Sequence, residues 1–456
     1  MVSHRRCSRA AVAAAAAGLA LALLGAPGMA QSQTATSAAP AAASTESLPA
    51  LLARVLPADP QVRSAAALAE AAQERRKQSQ SRMWPTIGAS ITRGGAAETE
   101  LGRSVNRQTD RAEATVRWNV YNAGNDAAEL RAATLEVQAA QEELRRAREE
   151  ASTRIAEAYL DLLRLDSLVP KALERLQAVQ RLARQVRLQA EIGKLSNADA
   201  SQAEASELDA EVVYQELVSD QAGARRRLAT LVGAASVEAL PGVVPLDLPP
   251  PALESPSAEM LLASGPGQVT AAQERARAAA ERVRPLSSLA QPRIDVELRQ
   301  RLWDRTTPQV TTEQQHSWSL VARWDFPVGG EQQARIAESR LRAQAAQEEA
   351  QRVANALSSE LASLGPRIAE TANNVARLER QIRQYDLLVQ AGELQFEAGR
   401  RTVAQLIQLR EGRFTAEQRR AEQAHRHLTA RLRQLALNGA LLPALGLPDA
   451  EVPPAR

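Results

Sequence analysis

Polar and apolar residues alternate in four short segments, two in each half of the chain. In the first half the alternation runs through Ile87–Ile91 and Ala112–Val120. In the second half it runs through Ile294–Leu298 and Trp318–Phe326, with Val321 as the one exception. A two-residue period with one apolar and one polar face predicts β-strands. We place these strands, with a polar loop inside each pair, at about residues 84–94, 110–121, 292–302 and 316–327.

A helical period fills most of the remaining chain. From residue 125 to residue 191, apolar residues recur at steps of three and four, and residues 331–397 form a matching stretch of the same 67 residues. Such a stripe predicts coiled-coil helices. At about 1.5 Å per residue, each helix reaches roughly 100 Å, far more than a globular core needs. We expect Pro170 and Pro366 to kink or interrupt these helices.

The two halves repeat one unit. Leu188–Ser196 and Leu394–Thr402 share the pattern L-Q-x-E-x-G-[KR]-x-[ST], at an offset of 206 positions (394 − 188 = 206). Trp118 and Trp324 lie at the same offset. A repeat this long indicates a duplicated architecture rather than a solenoid of short units. The resulting organisation is a first repeat at residues 47–235, a Pro-rich linker at 236–257 and a second repeat at 258–445.

The N-terminal region predicts a secretory signal peptide at residues 1–30. Three arginines precede an apolar core that is too short to span a bilayer, and Gly28–Ala30 offers small residues for cleavage. The only cysteine, Cys7, lies ahead of that core, so it is badly placed to become a lipidated N-terminus. We expect a disordered leader at residues 31–46 and a disordered tail at 446–456.

Charge and motif content argue against several functional classes. Loss of the three signal-peptide arginines lowers the formal net charge from +3 to zero, and nucleic-acid binding needs an excess of positive charge. His425 and His427 are two residues apart and therefore lie on different helix faces. No catalytic triad, Gly-rich phosphate loop or paired carboxylate site stands out. We expect no enzyme activity, no cofactor, no metal site and no nucleic-acid partner.

The strands carry the features of a membrane protein. All five tryptophans lie in or beside the four strand segments. Alternating strands of about ten residues with interfacial tryptophans are typical of a membrane β-barrel. Four strands cannot close a barrel, and an open sheet edge in lipid costs several kcal/mol for each unpaired backbone group. We therefore expect the chain to pool its strands with copies of itself.

This order of elements resembles the TolC family of outer-membrane exit ducts over roughly residues 47–445. Trp324–Gly330 resembles the strand-to-helix turn of that family, and Phe396–Thr402 resembles its periplasmic helix tip. The resemblance implies a mainly α fold with a membrane β-barrel. In the fold of that family, three chains form a 12-stranded barrel that continues as a helical periplasmic tunnel. It also implies a homotrimer in the outer membrane of a Gram-negative cell.

The helix tips, residues 190–199 and 396–405, are the first candidate sites. Gly193 and Gly399 are expected to end their helices as left-handed caps. The resemblance implies that the two tips also dock a periplasmic adaptor protein. The residues concerned are Gly193, Lys194, Ser196, Gly399, Arg400 and Thr402.

The resemblance further implies an aperture gate beside these tips. Asp199 and Arg401 would form a polar lock, although Asp199 also has the spacing of a helix-capping residue. Phe396 falls where relatives place a tyrosine, so a hydroxyl link is missing. Gln405 and Gln408 fall where relatives place two aspartates, so strong cation selectivity is not expected. A plain polar helix face is the simpler interpretation of both glutamines.

The functional expectation is an outer-membrane channel-tunnel of a tripartite exporter, with Trp84, Trp118, Trp318 and Trp324 as its belt in membrane lipid. It would passively conduct substrates from an inner-membrane transporter, ABC or proton-driven, through a periplasmic adaptor (membrane fusion) protein. The lack of a cysteine placed for lipidation favours type I protein secretion slightly over multidrug efflux. The alternative is a soluble periplasmic coiled-coil scaffold, which predicts neither the alternation nor the clustered tryptophans.

Overall fold

The computed structural model of the protein describes residues 45–100, 103–234, 242–251, 256–284, 292–307, 315–324 and 329–447. The predicted signal peptide with Cys7, most of the leader and residues 448–456 of the predicted tail lie outside the described residues. At the inner end of the leader, Thr45–Glu46 forms a two-residue strand, β1, where the sequence predicted disorder.

The first repeat begins with two helices separated at Pro57. Asp59 caps the second of them, because its carboxylate accepts hydrogen bonds from the backbone N–H groups of Gln61 at 2.8 Å and Val62 at 3.1 Å. Two strands and two longer helices follow. The elements are α1 (Leu48–Val55), a 3₁₀ turn (Leu56–Ala58), α2 (Pro60–Ser81), β2 (Thr86–Glu100), β3 (Arg103–Tyr121), α3 (Asn125–Glu191) and α4 (Asn197–Leu231).

The second repeat has the same order of elements. Its long helix and returning helix contain 67 and 35 residues, as do α3 and α4. The duplication inferred from the tip motif is therefore present in the structure. After the short strand β4 (Gly242–Val243), the elements are α5 (Ala258–Ser264), α6 (Gly267–Val283), β5 (Arg293–Thr307), β6 (Gln315–Arg323), α7 (Glu331–Glu397), α8 (Val403–Leu437) and α9 (Leu441–Ala444).

The long strands form one antiparallel sheet in the order β2-β3-β5-β6. The two repeats thus each contribute a hairpin, and β3 pairs with β5 where the repeats meet. Register shifts interrupt the β3–β5 ladder at Ala112/Glu113 and at Asn119/Tyr121. Within the described sheet, β2 and β6 are the edge strands, each with a single neighbour.

The strands of the first hairpin are longer than the sequence predicted. Residues 94–109 were expected to form a polar loop, but Gly95 lies opposite Gln108 and Glu100 lies opposite Arg103 in a continuous ladder. Ladder hydrogen bonds join backbone groups, so pairing can continue after the apolar alternation has ended. At the other end of the sheet, β6 stops at Arg323, so Trp324 follows the strand and residues 325–327 lie outside the described residues.

The helical body is organised around α3. This helix packs against α2, α4, α6 and α8, whereas α7 packs mainly against α8, α6 and α5. The largest core cluster lies around the middle of α3 and joins both repeats. Its fully buried members include Leu52, Ile155, Leu162, Leu228 and Leu432.

Neither helix-internal proline ends its helix. α3 continues through Pro170 and α7 continues through Pro366. A proline removes one backbone hydrogen bond, and here the buried neighbours on both sides keep the helix packed. Leu168 and Ala172 flank the first proline in the core, and Leu364 and Ile368 flank the second. Neither helix is therefore interrupted, and the expected kink stays a prediction.

The crossing between the repeats is fastened to the helical body. β1 pairs in parallel with β4, so part of the predicted linker is ordered. The buried hydroxyl of Tyr159 accepts a hydrogen bond from the Val244 N–H at 2.6 Å and donates one to the Val244 carbonyl at 3.0 Å. Among the described helices, none has the length and hydrophobicity needed to cross a membrane.

Candidate functional site

The two helix tips have nearly the same backbone geometry. Gly193 (φ +73°) and Gly399 (φ +70°) adopt the left-handed conformation that ends a helix. At the first tip the Lys194 N–H donates to the Gln189 carbonyl, and at the second the Arg400 N–H donates to the Gln395 carbonyl, both at 2.8 Å. The shared glycine is required because a side chain at these φ values is strained.

Each returning helix begins with a capping box. At α4, the Ser196 hydroxyl accepts from the Asp199 N–H at 3.1 Å, and the Asp199 carboxylate accepts from the Ser196 N–H at 3.2 Å. At α8, Thr402 and Gln405 make the equivalent pair of bonds, both at 3.3 Å. In the first box the partner is a carboxyl group, a type of side chain that is favourable near the positive end of the helix dipole. The second box is neutral.

Within one chain, the Asp199 carboxylate is already engaged in capping α4. Its carboxylate also accepts a hydrogen bond from the Ser196 hydroxyl at 2.7 Å. The Arg401 guanidinium lies instead over α7, 3.0 Å from the position that a Cβ on Gly392 would take. In the described part of the chain, no ion pair joins Asp199 to Arg401. The lock between these residues at the aperture stays a prediction.

The other predicted gate residues fall into two environments. Phe396 is only 8% exposed and belongs to the tip core with Val186, Val403 and Leu406. Gln405 and Gln408 are exposed on α8. The ring of Phe396 therefore stabilises the tip, while Gln408 and the capping residue Gln405 lie on an exposed part of α8.

A joint above the tips, which the sequence did not reveal, connects the repeats. Arg410 on α8 donates to the Ala178 carbonyl of α3 at 2.8 Å and to the Glu393 carboxylate of α7 at 2.7 Å. Arg175 of α3 lies 5.0 Å from the ring centre of Phe414 on α8. Arginine is so frequent in this chain that its spacing gave no signal. These contacts hold the helices that carry both tips.

The apolar side chains of the sheet form rows across the strands. Ile87, Val116, Leu298 and Trp318 occupy successive partner positions, and Trp118, Val296 and Leu320 form the next row. The first row is exposed at its ends, with Ile87 at 81% and Trp318 at 78%. A face this hydrophobic and this uncovered indicates a surface made for an apolar medium.

The opposite face of the sheet carries charges that pair across strands. Arg117 lies 3.1 Å from Glu297, and Arg111 lies 3.1 Å from Asp304. On the same face, nearer the helices, Asn119 donates a hydrogen bond to Asp295 at 2.7 Å. The two faces therefore differ as the lipid and lumen faces of a barrel differ.

The apolar face also has the height of a membrane barrel. It extends along β3 from Tyr121 to Ala112, which is about 30 Å of strand. A tilt near 40° reduces this to roughly 23 Å along the membrane normal, close to the ≈ 25 Å band of outer-membrane barrels.

The predicted belt tryptophans lie at different heights of the sheet. Trp84, Trp118 and Trp324 lie near the end of the sheet that joins the helices. The Trp118 indole N–H donates to the Met83 carbonyl at 3.0 Å. Trp318 is one row further along the sheet than Trp118. All four are exposed, and their contact with lipid stays a prediction.

Comparison with known proteins supports the architecture. Residues 51–234, the first repeat, match the family Outer membrane efflux protein. The predicted localisation agrees with that family description. The search of curated protein sequences found no match. Among the described residues, no cluster of His, Cys, Asp and Glu is arranged to hold a metal ion.

Solved structures share the fold over nearly the whole chain. The outer membrane protein VceC from Vibrio cholerae has a TM-score of 0.72 at 19% identity and covers 88% of this chain and 96% of its own. The open state of the Neisseria gonorrhoeae MtrE outer membrane channel has a TM-score of 0.71 at 16% identity, with coverage of 86% and 89%. CusC has a TM-score of 0.75 at 14% identity, with coverage of 88% and 92%.

Identities this low establish the fold alone. The fold is mainly α, with a duplicated helix–strand–strand–long helix–helix unit, as the sequence predicted. The family match confirms the resemblance stated above in the first repeat, and the solved structures show the same fold over 86–88% of the chain.

Proposed function

We propose that this chain is one protomer of a homotrimeric outer-membrane channel, the exit duct of a tripartite exporter. The single observation that carries this proposal is the four-stranded sheet, which is apolar and uncovered on one face and charged on the other. Such a sheet cannot stand alone in lipid, because its edge strands β2 and β6 would leave backbone groups unpaired. Three copies, arranged as in the resembled family, give a closed barrel of twelve strands.

The duct conducts passively. Helices of 67 residues extend about 100 Å from the membrane, which suits a tunnel leading toward a pump in the inner membrane. The pump, ABC or proton-driven, supplies the energy, and an adaptor protein joins it to the tunnel. A soluble scaffold does not account for the exposed Ile87 and Trp318.

The helix tips are the proposed adaptor surface. The exposed residues there are Gly193, Lys194, Ser196, Gly399 and Thr402, together with Arg400. Asp199 and Arg401, contributed by neighbouring chains, would close the aperture, with Gln405 and Gln408 beside it. Support for this assignment comes from the family resemblance and from the exposed, well-capped geometry of both tips.

Two client classes have support. The position of Cys7, away from any lipidation site, favours secretion of a polypeptide. The family description, Outer membrane efflux protein, names no client and is equally compatible with the efflux of small molecules. Deletion of the gene separates them: a missing protein in the culture supernatant supports secretion, and increased sensitivity to toxic compounds with an unchanged supernatant supports efflux.

The assembly is tested on the purified full-length protein in mild detergent. We expect it to fractionate with the outer membrane, run as a trimer that heat dissociates, and form ion-conducting channels in planar bilayers. Recovery as a stable monomer, or from the soluble periplasm, would contradict the proposal.

A further inference from the structure

On β2 and β3, the apolar face of the sheet changes to a charged surface within a single row of side chains. Ile91, Ala112 and Trp303 form the last hydrophobic row. The next row on the same face is Arg93 on β2, Asp110 on β3 and Arg305 on β5, which replaces hydrocarbon with two guanidinium groups and one carboxylate.

This row contains two positive side chains and only one negative side chain. The Arg93 side chain is 81% exposed, and its Nε lies 3.3 Å from the Asp110 carboxylate. Arg305 is also exposed, and within the described residues its guanidinium has no hydrogen-bond or ion-pair partner. Within this described row, two positive charges therefore face one negative charge, and the surplus is centred on Arg305.

The row lies at the hairpin end of the sheet, away from the helices. α2 and α3 both join the sheet at its other end, near Thr86 and Tyr121. On the same face at that other end, the row of Tyr121, Ile294 and Ala322 contains no charge. If the helices extend into the periplasm, as proposed above, the arginine row lies at the outer boundary of the membrane.

We infer that Arg93 and Arg305 bind phosphate-bearing headgroups of the outer-leaflet lipid, an inference that rests on the proposed membrane orientation. A guanidinium offers paired N–H donors that match two oxygens of a phosphate. The two arginines stand two strand spacings apart, about 10 Å, so their long side chains can reach separate phosphates of one glycolipid. In the row directly below them, Ile91 and Trp303 are exposed and would contact its acyl chains.

The fit is specific to this height of the barrel. Arginines on the other face, such as Arg111 and Arg117, are paired with carboxylates of neighbouring strands. They would line the lumen and could not meet a lipid. Only a row placed one step beyond the apolar band can hold a phosphate while hydrocarbon covers the band itself.

The test uses the full-length trimer and lipid A carrying two phosphates. The trimer is titrated with this lipid in neutral detergent, and bound lipid is counted by native mass spectrometry. We expect Arg305→Gln and Arg93→Gln each to weaken binding by about fivefold, since an arginine near a membrane surface contributes roughly 1 kcal/mol. The matched control Arg299→Gln removes an exposed arginine from the polar face and should bind like the parent.

Further measurements identify the source of the phosphate and distinguish a loss of binding from misfolding. Inorganic phosphate alone should neither stabilise the trimer against heat nor displace the lipid, and equal stabilisation by it would overturn the lipid assignment. Arg305→Lys keeps the charge but loses the paired donors, so it should assemble like the parent and bind the lipid better than Arg305→Gln but less well than the parent. Equal lipid binding by the parent, Arg305→Gln and Arg299→Gln would overturn the inference. Failure of the parent to form a membrane trimer would instead contradict the proposed function.

Discussion

The sheet and the helical body use the same hydrophobic residues in opposite ways. In the body, Leu162 is 0% exposed and packs among side chains of both repeats. In the sheet, Leu320 is 63% exposed, and its row neighbour Trp118 is exposed as well. Leu162 lies in a regular helix and Leu320 in a regular strand, so the difference in their exposure does not come from local disorder.

This difference indicates two surroundings for one chain. Exposing a row of large apolar side chains to water costs about 25 cal/mol for each Å², and a soluble protein rarely leaves such a patch open. The helical body satisfies that rule through its own packing. The sheet satisfies it only if lipid covers one face and if further strands cover its edges.

The largest expected effect is a truncation in the helical body. Leu162→Ala leaves a cavity in a packed core and should cost about 2–5 kcal/mol of unfolding free energy. Leu320→Ala should cost clearly less, because lipid chains can fill the space that the side chain leaves. Urea unfolding of the protein in lipid vesicles measures both. Equal losses would show that Leu320 lies in a packed core.

A buried charge sharpens the contrast between the two sheet faces. Val116→Lys places a charge on the lipid face and should cost roughly 2–4 kcal/mol near the bilayer middle. Asn119→Lys places the same charge on the polar face beside Asp295 and should cost much less. The yield of trimer in outer-membrane fractions reports the difference, and equal tolerance of both lysines would mean that the strand register is wrong.

In the helical body, we expect Glu417 to make the stability of the fold depend on pH. Burial raises the pKa of Glu417, and the charge of Arg413 only partly opposes it. Because the folded pKa lies above the unfolded one, the stabilisation from protonation is complete at low pH and is lost as pH rises through the folded pKa. Glu417→Gln should therefore unfold at a higher temperature than the parent at pH 7.5, with a smaller difference at pH 4.5.

Asp161 provides the matched control with the opposite sign. Burial alone would raise its pKa, but hydrogen bonds from Arg164 and Arg227 lower it overall. Its contribution is present above the unfolded value of 3.8 and is lost only as pH falls through the folded pKa. Asp161→Asn should thus lower the unfolding temperature similarly at pH 4.5 and 7.5. A parallel response of both variants would contradict the two assignments.

The smallest effect on stability is expected at the aperture. An exposed pair between Asp199 and Arg401 of neighbouring chains contributes about 0–1 kcal/mol, yet three copies act on one opening. Arg401→Ala and Asp199→Ala should each raise single-channel conductance in planar bilayers without dissociating the trimer, and the double variant should add little. If both single variants conduct like the parent, Asp199 serves only as a helix cap.

Much of the fold could be predicted because its elements are long and regular. The bounds of α3 and α7 were inferred correctly from the apolar stripe and the tip glycines. The outer part of the first hairpin was missed, because residues 94–109 carry no alternation for pattern analysis to detect. Backbone pairing alone extends the strands there.

The site was less predictable because it depends on contacts between distant residues. The pairing of Ser196 with Asp199 is local and was anticipated from the capping spacing. The burial of Phe396 in the tip core needs Val186, 210 positions away (396 − 186 = 210), to be in place. The Arg410 joint likewise spans three helices, and nothing near it in sequence indicates its partners.

The two long helices are buried to different extents within one chain. α3 buries 22 of its 67 residues, whereas α7 buries 10 of the same number. On α7, Leu341, Leu387 and Leu394 remain exposed. Two units of the same architecture therefore have unequal surroundings within a single chain, and neighbouring copies in a trimer would supply the missing contacts of α7.

The most direct test of the central claim measures which medium each sheet face meets. The only cysteine lies in the predicted signal peptide, so Leu320→Cys and Ser319→Cys can each carry a single spin label in the mature protein. In lipid vesicles, we expect the label at position 320 to collide mainly with oxygen dissolved in the lipid. The label at position 319 should collide mainly with a water-soluble nickel complex. The same accessibility at both positions, or the reverse order, would contradict a membrane barrel with this register.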